Sequence, residues 1–321
     1  MRPVNLRTDL APLADLIELA FADSMDSGGR AALREMRYLS RMGPGLSLIA
    51  RMNELAVGVS MGFVWIADGQ LVGNVSVYPA NWPGGLGSAW IIANVGVHPN
   101  YQKRGIARQL MQASLDMIRE RKGTTAILQV DAENDRARRL YRGLGFTEER
   151  SFTTWLRRSS LRVPDRGSNT DVYIRHRRRA EWQQEMALAE RIRPQQYGGI
   201  GWQRPLHPGT FRRPWLKAVN DALNLRGMER LVVEPQPGEE ALRAVMWVEN
   251  VFASKTRLTL MVDPLVQGIY DDALLQNVVR RSGRNPLSIE HPSDEIGVGN
   301  LLAYYGFTRQ RTVVHMRWDA R

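Results

Sequence analysis

The sequence predicts an α/β protein of two domains, each with a mixed α+β sheet, and three observations carry that reading. The chain has 321 residues, more than one ordinary domain holds and enough for two. Its 43% hydrophobic and 24% charged residues are the composition of a globular protein that can bury a core in each half. Apolar residues recur with helical and strand periods by turns, and that order of elements comes twice.

Taken in order, Leu10 to Phe21 place apolar residues at helical spacing and predict a first helix. A second is expected over Ala31 to Met42, stopped by Gly43-Pro44. "GFVWIADGQLVGNVSVYP" gives two apolar runs around Ala67-Asp68-Gly69-Gln70, a hairpin with Asp-Gly at its tip. "SAWIIANVGV" reads as a strand that runs into the turn His98-Pro99-Asn100. In the helix that follows, Ile106, Leu110, Met111, Leu115 and Ile118 share one face, and Gly123 ends it. "TAILQV" is a strand, "NDRARRLYRGLG" a helix ending in Gly, and "SFTTWLR" a last strand.

The Ser-, Pro- and Gly-bearing stretch 158–171 is the expected linker between domains at 1–157 and 172–321. Beyond it the grammar returns. "VYIRHRRRAEWQQEMALA" parallels "VNLRTDLAPLADLIELA", "ALRAVMWVEN" and "SKTRLTLMVDP" supply strands, and "NLLAYYGFTRQRTVVHMRW" parallels "RRLYRGLGFTEERSFTTWL". This is a tandem duplication.

Composition removes several function classes. The formal charge is +11 and nearly all arginine, since only Lys103, Lys122, Lys217 and Lys255 are lysines. The densest run, "RHRRR" at Arg175 to Arg179, lacks interleaved aromatics for base stacking, so a scattered solvated surface is expected and no nucleic acid partner. No 18-residue apolar run exists, which removes a membrane span. The opening "MRPVNLRTDLAPLADLIELAF" is not a secretory signal, and the chain is expected in the cytoplasm. There is no cysteine, hence no thiolate nucleophile. His98, His176, His207, His291 and His315 show no ligand spacing, and no metal is expected.

The chemistry lies in "VHPNYQKRGIARQL". The first turn of a helix carries backbone N–H groups without internal partners, and the helix dipole adds positive charge there. A glycine in the preceding turn, Gly105, lets the backbone approach a ligand closely. Together they make an anion cradle, and Lys103, Arg104 and Arg108 add side-chain charge. A single Gly before a helix also suits an ordinary strand-to-helix connection. The later run "LQVDAENDRARRLYRGLGF" sharpens the reading with Asn134, Ala137, Leu140, Tyr141, Gly145 and Phe146.

The two stretches together resemble the GNAT superfamily, the acetyl-CoA-dependent N-acetyltransferases. The family's Gln/Arg-x-x-Gly-x-Gly/Ala signature stands here as Gln102-Lys103-Arg104-Gly105-Ile106-Ala107, and its "N…A…LY…GF" motif runs from Asn134 to Phe146. The resemblance covers nearly all of residues 1–157. It implies two tandem GNAT-fold domains, each a twisted, mostly antiparallel sheet flanked by helices. It implies that the backbone of Val95, Gly96 and Val97 pairs with the pantetheine arm as an added strand would. The amides of Gln102 to Ala107 would hold the pyrophosphate, with Asn134 and Ala137 nearer the thioester end. Tyr141 would be the phenol that protonates the departing CoA thiolate, a thiol of pKa roughly 8.5 taking a proton from a phenol of about 10. A core aromatic is the other reading of Tyr141.

The general base is not assigned. The strand before the cradle holds no acid, only Asn94, and the remaining candidates are a backbone-held water, an acid from elsewhere such as Glu133, or none. His98 reads as an exposed turn residue. Asp23, Asp26 and Glu35 read equally well as solvent-facing charges or as contacts for a cationic acceptor, and Trp65, Trp82 and Trp90 as core or, alternatively, as the lining of a pocket.

In the second half, "VDPLVQGIYDDALLQ" keeps Gly268 but loses the signature, and Asp271 and Asp272 stand at the helix start. Acids there complement the dipole and repel a pyrophosphate. "EIGVGNLLAYYGFT" retains Tyr304 or Tyr305 beside Gly306-Phe307. The second domain is therefore expected to be a degenerate copy, an architecture that resembles mycothiol synthase in arrangement only; the rival reading is a second site with altered cofactor geometry.

The expected function is transfer of an acetyl group from acetyl-CoA to a primary amine of a small molecule or peptide, by direct attack in a ternary complex. The alternative is a catalytically silent module that binds or senses acetyl-CoA. The expected partners are acetyl-CoA and an amine-bearing acceptor, with the chain a monomer or homodimer and without a membrane.

Overall fold

A computed structural model describes residues 1–22, 25, 27–41, 61–83, 85–159, 162–164, 172–212, 226–235, 241–251, 255–282 and 285–320. Two compact units account for the chain. The first comprises Met1–Val130, Asn134–Glu148 and Met316–Arg321, and the second Asp131–Glu133 and Glu149–His315.

In the first unit, β1 (Arg2–Pro3) pairs antiparallel with β2, Gly62–Ala67. Helix α1 (Leu6–Ala20) begins four residues before the apolar stripe, because Asn5 caps it by accepting from Arg7 N at 3.1 Å. Helix α2 spans Ser27–Ser40. Leu10, Leu13, Ala14 and Ile17 of α1 meet Leu33, Met36 and Leu39 of α2 in one cluster. The hairpin between β2 and β3 (Gln70–Pro79) turns at Asp68 and Gly69, with φ of +50° and +75°, as an Asp-Gly type I′ turn demands. Strand β3 pairs antiparallel with β4, Ala89–Val97.

From β4 the chain crosses through α3 (Ile106–Glu120) to β5 (Thr125–Asp131), which lies parallel to β4. The α3 stripe is the one that the spacing predicts, with Ile106, Leu110, Met111, Leu115 and Ile118 all buried. It lies against Gly73 of β3, where a Cβ would stand 3.0 Å from Ile106 Cγ2 and 3.1 Å from Leu110 Cδ1. Helix α4 is Asp135–Arg142, and β6 runs Thr147–Arg157. The chain's last residues also belong to this unit: Asp319 accepts from Thr125 Oγ1 at 2.9 Å, and Ala320 N donates to Thr124 O at 2.9 Å.

The second unit repeats this plan. β7 (Ile174–His176), α5 (Trp182–Ile192), the short α6 (Pro208–Phe211), β8 (Arg226–Val233) and β9 (Ala244–Val251) lead to β10 (Thr256–Val262). Then come α7 (Tyr270–Arg281), β11 (Leu287–Pro292), α8 (Ile296–Tyr304) and β12, Thr308–Asp319. The order β6-β11-β10-β9-β8-β7 is antiparallel except for β10 with β11. Parallel neighbours need a crossover, and α7 supplies it as α3 does in the first unit.

Each sheet face in this unit has its own core. Leu274, Leu275, Val278 and Val279 of α7 and Leu301 and Leu302 of α8 cover one face. Leu188, Ala189, Phe211 and Trp247 lie in the other core. Strands β6 and β12 each have residues in both units. Among the described residues, no helix is long and apolar enough to cross a membrane, and no group of three or more His, Asp or Glu is placed to hold a metal.

Candidate active site

The site begins where two parallel strands part. β4 and β5 pair only at Ala89, Trp90 and Ile91 with Thr125, Ala126 and Ile127. Beyond Ile91, β4 bends at Asn94, whose φ is +52°, and its pairing with β3 slips between Asn74 and Ser76. This is a β-bulge, the device by which a strand leaves its neighbour. On the β5 side, the backbone of Val95 to Val97 therefore faces an open wedge. Gln102 closes the far end of that edge by donating Nε2–H to Val97 O at 3.1 Å.

The turn after β4 is a short 3₁₀ helix, Pro99–Tyr101, capped by His98, whose Nδ1 accepts from Asn100 N at 3.3 Å. His98 thus has the turn role its position suggested. Lys103 (φ +63°) and Gly105 (φ +79°) then take left-handed conformations before α3 starts. Alternation of this kind turns successive N–H groups to one side. Among the described residues, the amides of Lys103, Arg104, Gly105, Ile106, Ala107 and Arg108 have no hydrogen-bond acceptor. Six unpaired donors at the positive end of a fifteen-residue helix form an anion cradle. A Cβ on Gly105 would come no nearer than 3.8 Å to Gln109 Nε2, so glycine is needed there for its φ rather than for space.

Side chains brace the cradle. Arg104 donates to Asn100 O at 3.0 Å and lies 5.0 Å from the centre of the Tyr101 ring. The Tyr101 hydroxyl donates to Asp68 Oδ2 at the hairpin tip at 2.7 Å, and Arg136 donates to Gln102 Oε1 at 2.7 Å. Arg108 reaches Gly143 O at 3.4 Å, while Lys103 is exposed.

Asn134 caps α4, its Oδ1 accepting from Ala137 N at 3.0 Å. That bond uses the Ala137 amide, and the Asn134 Nδ2 group has no hydrogen-bond acceptor among the described residues. Tyr141 is 6% exposed, its ring 6.0 Å from that of Phe146. Burial pushes its phenol pKa up, so the hydroxyl keeps its proton at neutral pH. The hydroxyl itself makes no hydrogen bond to another described residue.

An anion cradle at a helix start, an open wedge between parallel strands and a buried phenol on the next helix lie together in one unit, and its sequence has a family. Residues 41–146 match the model of the acetyltransferase (GNAT) family. The first unit thus carries a GNAT-family match over about a third of the chain. The N-alpha-acetyltransferase RimI of Mycobacterium tuberculosis is 38% identical over 86 residues, 27% of this chain and 47% of that protein. The ribosomal protein bS18-alanine N-acetyltransferase of Escherichia coli K12 is 40% identical over 55 residues, 17% of this chain and 37% of that one. The chain thus spans about half or less of the length of these curated relatives. Among solved structures, a GCN5-related N-acetyltransferase from Sphaerobacter thermophilus superposes with a TM-score of 0.60 at 18% identity, covering 99% of this chain and 94% of the other. A tandem GNAT protein from the clavulanic acid biosynthesis pathway gives 0.51 at 14% identity, covering 99% and 98%. These likenesses show the fold, two GNAT-like units in tandem.

The second unit differs at the corresponding places. Gly268 keeps a left-handed φ of +86° before α7. Asp271 is 2% exposed there, and its carboxylate takes the Asp272 amide at 3.0 Å. Asp272 accepts the Tyr305 hydroxyl at 2.6 Å. Strands β10 and β11 also part, after Leu258 and Ile289, and the gap holds the side chain of Arg193 from the end of α5. Arg193 is 2% exposed, donates to Leu260 O at 3.3 Å and pairs with Glu295.

Counting back from Gly306-Phe307 as from Gly145-Phe146, the place of Tyr141 falls on Leu302, not on Tyr304 or Tyr305. Leu302 is fully buried in the core, and Glu295, the α8 cap, stands where Asn134 does. The second copy therefore has no phenol at that position.

Among the described residues of the first unit, no acid makes a hydrogen bond to Asn94 or Tyr141. Glu133 belongs to the second unit, and Asp23 and Asp26 lie outside the described residues, as does most of 158–171. Asp15 and Glu18 both pair with Arg37. Asn74 and Ser76, each 1% exposed, are polar residues of the site that periodicity did not single out. The signal available was two polar residues inside the apolar run of β3.

Proposed function

We propose that the chain is an acetyl-CoA-dependent N-acetyltransferase that works from its first unit by direct attack in a ternary complex. The observation that carries this is the run of six unpaired amides from Lys103 to Arg108, set beside the open β4 edge and Tyr141. Each helix-start charge term is only about 0.3–1 kcal/mol when exposed, so several donors must act together on a pyrophosphate. The fit is good, because the cradle offers six amide donors that have no acceptor among the described residues.

Acetyl-CoA, when bound, supplies an activated thioester. Lys103 to Arg108 hold the phosphates, the β4 edge at Val95 to Val97 runs beside the pantetheine arm with Val97 O already taken by Gln102, and the Asn134 side-chain amide faces its far end. The acceptor nitrogen forms the new C–N bond while the C–S bond breaks with its electron pair on sulfur. Tyr141 gives its proton to that sulfur, the nitrogen releases one to water, and Tyr141 is reprotonated from the same pool. Such a positioned acid contributes about 10²–10⁴-fold.

The acceptor is a primary amine of a small molecule or peptide. The names of the relatives, one an N-alpha-acetyltransferase and one acting on an alanine of a ribosomal protein, make a peptide N-terminus the first acceptor to try. The domains of this reading are 1–157, the linker 158–171, and 172–321. The test is CoA release over a panel of amines that includes short peptides. Turnover supports the enzyme; tight acetyl-CoA binding with no turnover of any amine makes the chain a silent binding module.

A further inference from the structure

At the bulge of β4, three neutral side chains bond to one another. Asn74 Nδ2 donates to Asn94 O at 3.0 Å, which fixes the orientation of the Asn74 amide, and also lies 3.5 Å from Ser76 Oγ. Asn94 Nδ2 lies 3.3 Å from the same Ser76 hydroxyl. Asn74 and Ser76 are buried, while Asn94 is half-buried and reachable. Buried polar groups in the middle of a strand cost stability unless bonded, and this cluster also holds Asn94 in a left-handed conformation.

Its place gives it a use. A ligand fixed by its phosphates at Lys103 to Arg108 and running back along the edge from Val97 meets Asn94 three residues on, about 10 Å at 3.3 Å per residue. We propose that Asn74, Ser76 and Asn94 seat the acceptor amine, with Asn94 touching it and the other two holding Asn94, and that this seat takes the amine only in its neutral form. The proposal rests on the acetyltransferase reading above.

Amides and a hydroxyl bind an amine by hydrogen bonds, but neither takes its proton nor holds an ammonium by charge. Among the described residues, the charged groups on the elements packed against β4 are paired or exposed. On α1, Asp9 pairs with Arg2, Asp15 and Glu18 pair with Arg37, and Arg7 is exposed. On α3, Arg108, Asp116, Arg119 and Glu120 are exposed. The titratable group of β3 is the Tyr78 phenol, pushed up by burial, and Asp131 at the end of β5 pairs with Arg311 at 3.4 Å.

The neutral fraction of the substrate then governs the rate. At pH 7 an α-amine of pKa roughly 7.9 is neutral about 300 times more often than a lysine ammonium of roughly 10.4. The site therefore selects weakly basic amines, such as a peptide α-amine, over lysine side chains.

The experiment is the pH dependence of kcat/KM for the full chain with two peptides. One has a free N-terminus and no lysine, and the other is N-terminally blocked with one lysine. The rise with pH is expected to bend near each amine's own pKa, and Asn94→Gly, which keeps the left-handed backbone, is expected to lower kcat/KM for the amine roughly tenfold with KM for acetyl-CoA unchanged. Ser76→Ala should lower it in the same sense. A bend at one pH for both peptides would show an enzymic base and overturn the proposal, as would an unaltered kcat/KM in Asn94→Gly. Absence of turnover with every amine would instead overturn the acetyltransferase reading, and the seat with it.

Discussion

Arg193 donates to the backbone carbonyl of Leu260 at 3.3 Å, and in doing so fills in the second unit the wedge that stays open between β4 and β5 in the first. The second helix start carries its own anion, the Asp271 carboxylate. A buried arginine paired with Glu295 does not leave readily, because removing it would strand the partner charge in a dry site.

The first prediction follows from that contact. Calorimetric titration with acetyl-CoA should give one site per chain, and Gly105→Asp should abolish it. Two sites of comparable affinity would mean that Arg193 and Asp271 yield to the ligand.

Glu295 also makes acid stability predictable. Burial alone would raise its pKa, but the His291 contact at 2.8 Å and the Arg193 charge outweigh it and hold the carboxyl at about 2. A carboxyl lowered in the folded state stabilises above its unfolded pKa, and that contribution drains away as pH falls from about 4.5 towards 2. The shift corresponds to about 3 kcal/mol at neutral pH. Urea unfolding of Glu295→Gln should show a loss of that order at pH 7 that shrinks by pH 3. A loss equal at both pH values would contradict the assignment.

Gly105 separates conformation from contact. Alanine would make only an ordinary contact there, 3.8 Å from Gln109 Nε2, but must adopt φ of +79°, at a cost of about 1–2 kcal/mol. Gly105→Ala should keep the fold by circular dichroism and raise KM for acetyl-CoA about tenfold through a displaced cradle. An unchanged KM would mean that the amides do not bind the phosphates.

What could be read from the sequence was what is local. The turn with Gly105, the α3 stripe and the Asp-Gly hairpin each lie within a few consecutive residues, and all are found where their spacing put them. The α1 start was set late because Asn5, a polar cap, precedes the apolar period. Arg193 against Leu260 joins residues 67 positions apart, and no local pattern marks such a pair. Nor does one mark Met316–Arg321 as part of the first unit, since long-range strand pairing leaves little trace in periodicity. The position of Leu302 was available by counting, but two neighbouring tyrosines resembled the motif more closely than its true register did.

The central claim is that the first unit transfers acetyl groups with Tyr141 as the acid. Its most direct measurement is kcat for Tyr141→Phe beside the wild type, with a turned-over amine and saturating acetyl-CoA. Phenylalanine keeps the ring against Phe146 and removes only the hydroxyl. The account predicts a fall of about 10²-fold or more with acetyl-CoA affinity unchanged; full turnover in Tyr141→Phe would contradict it.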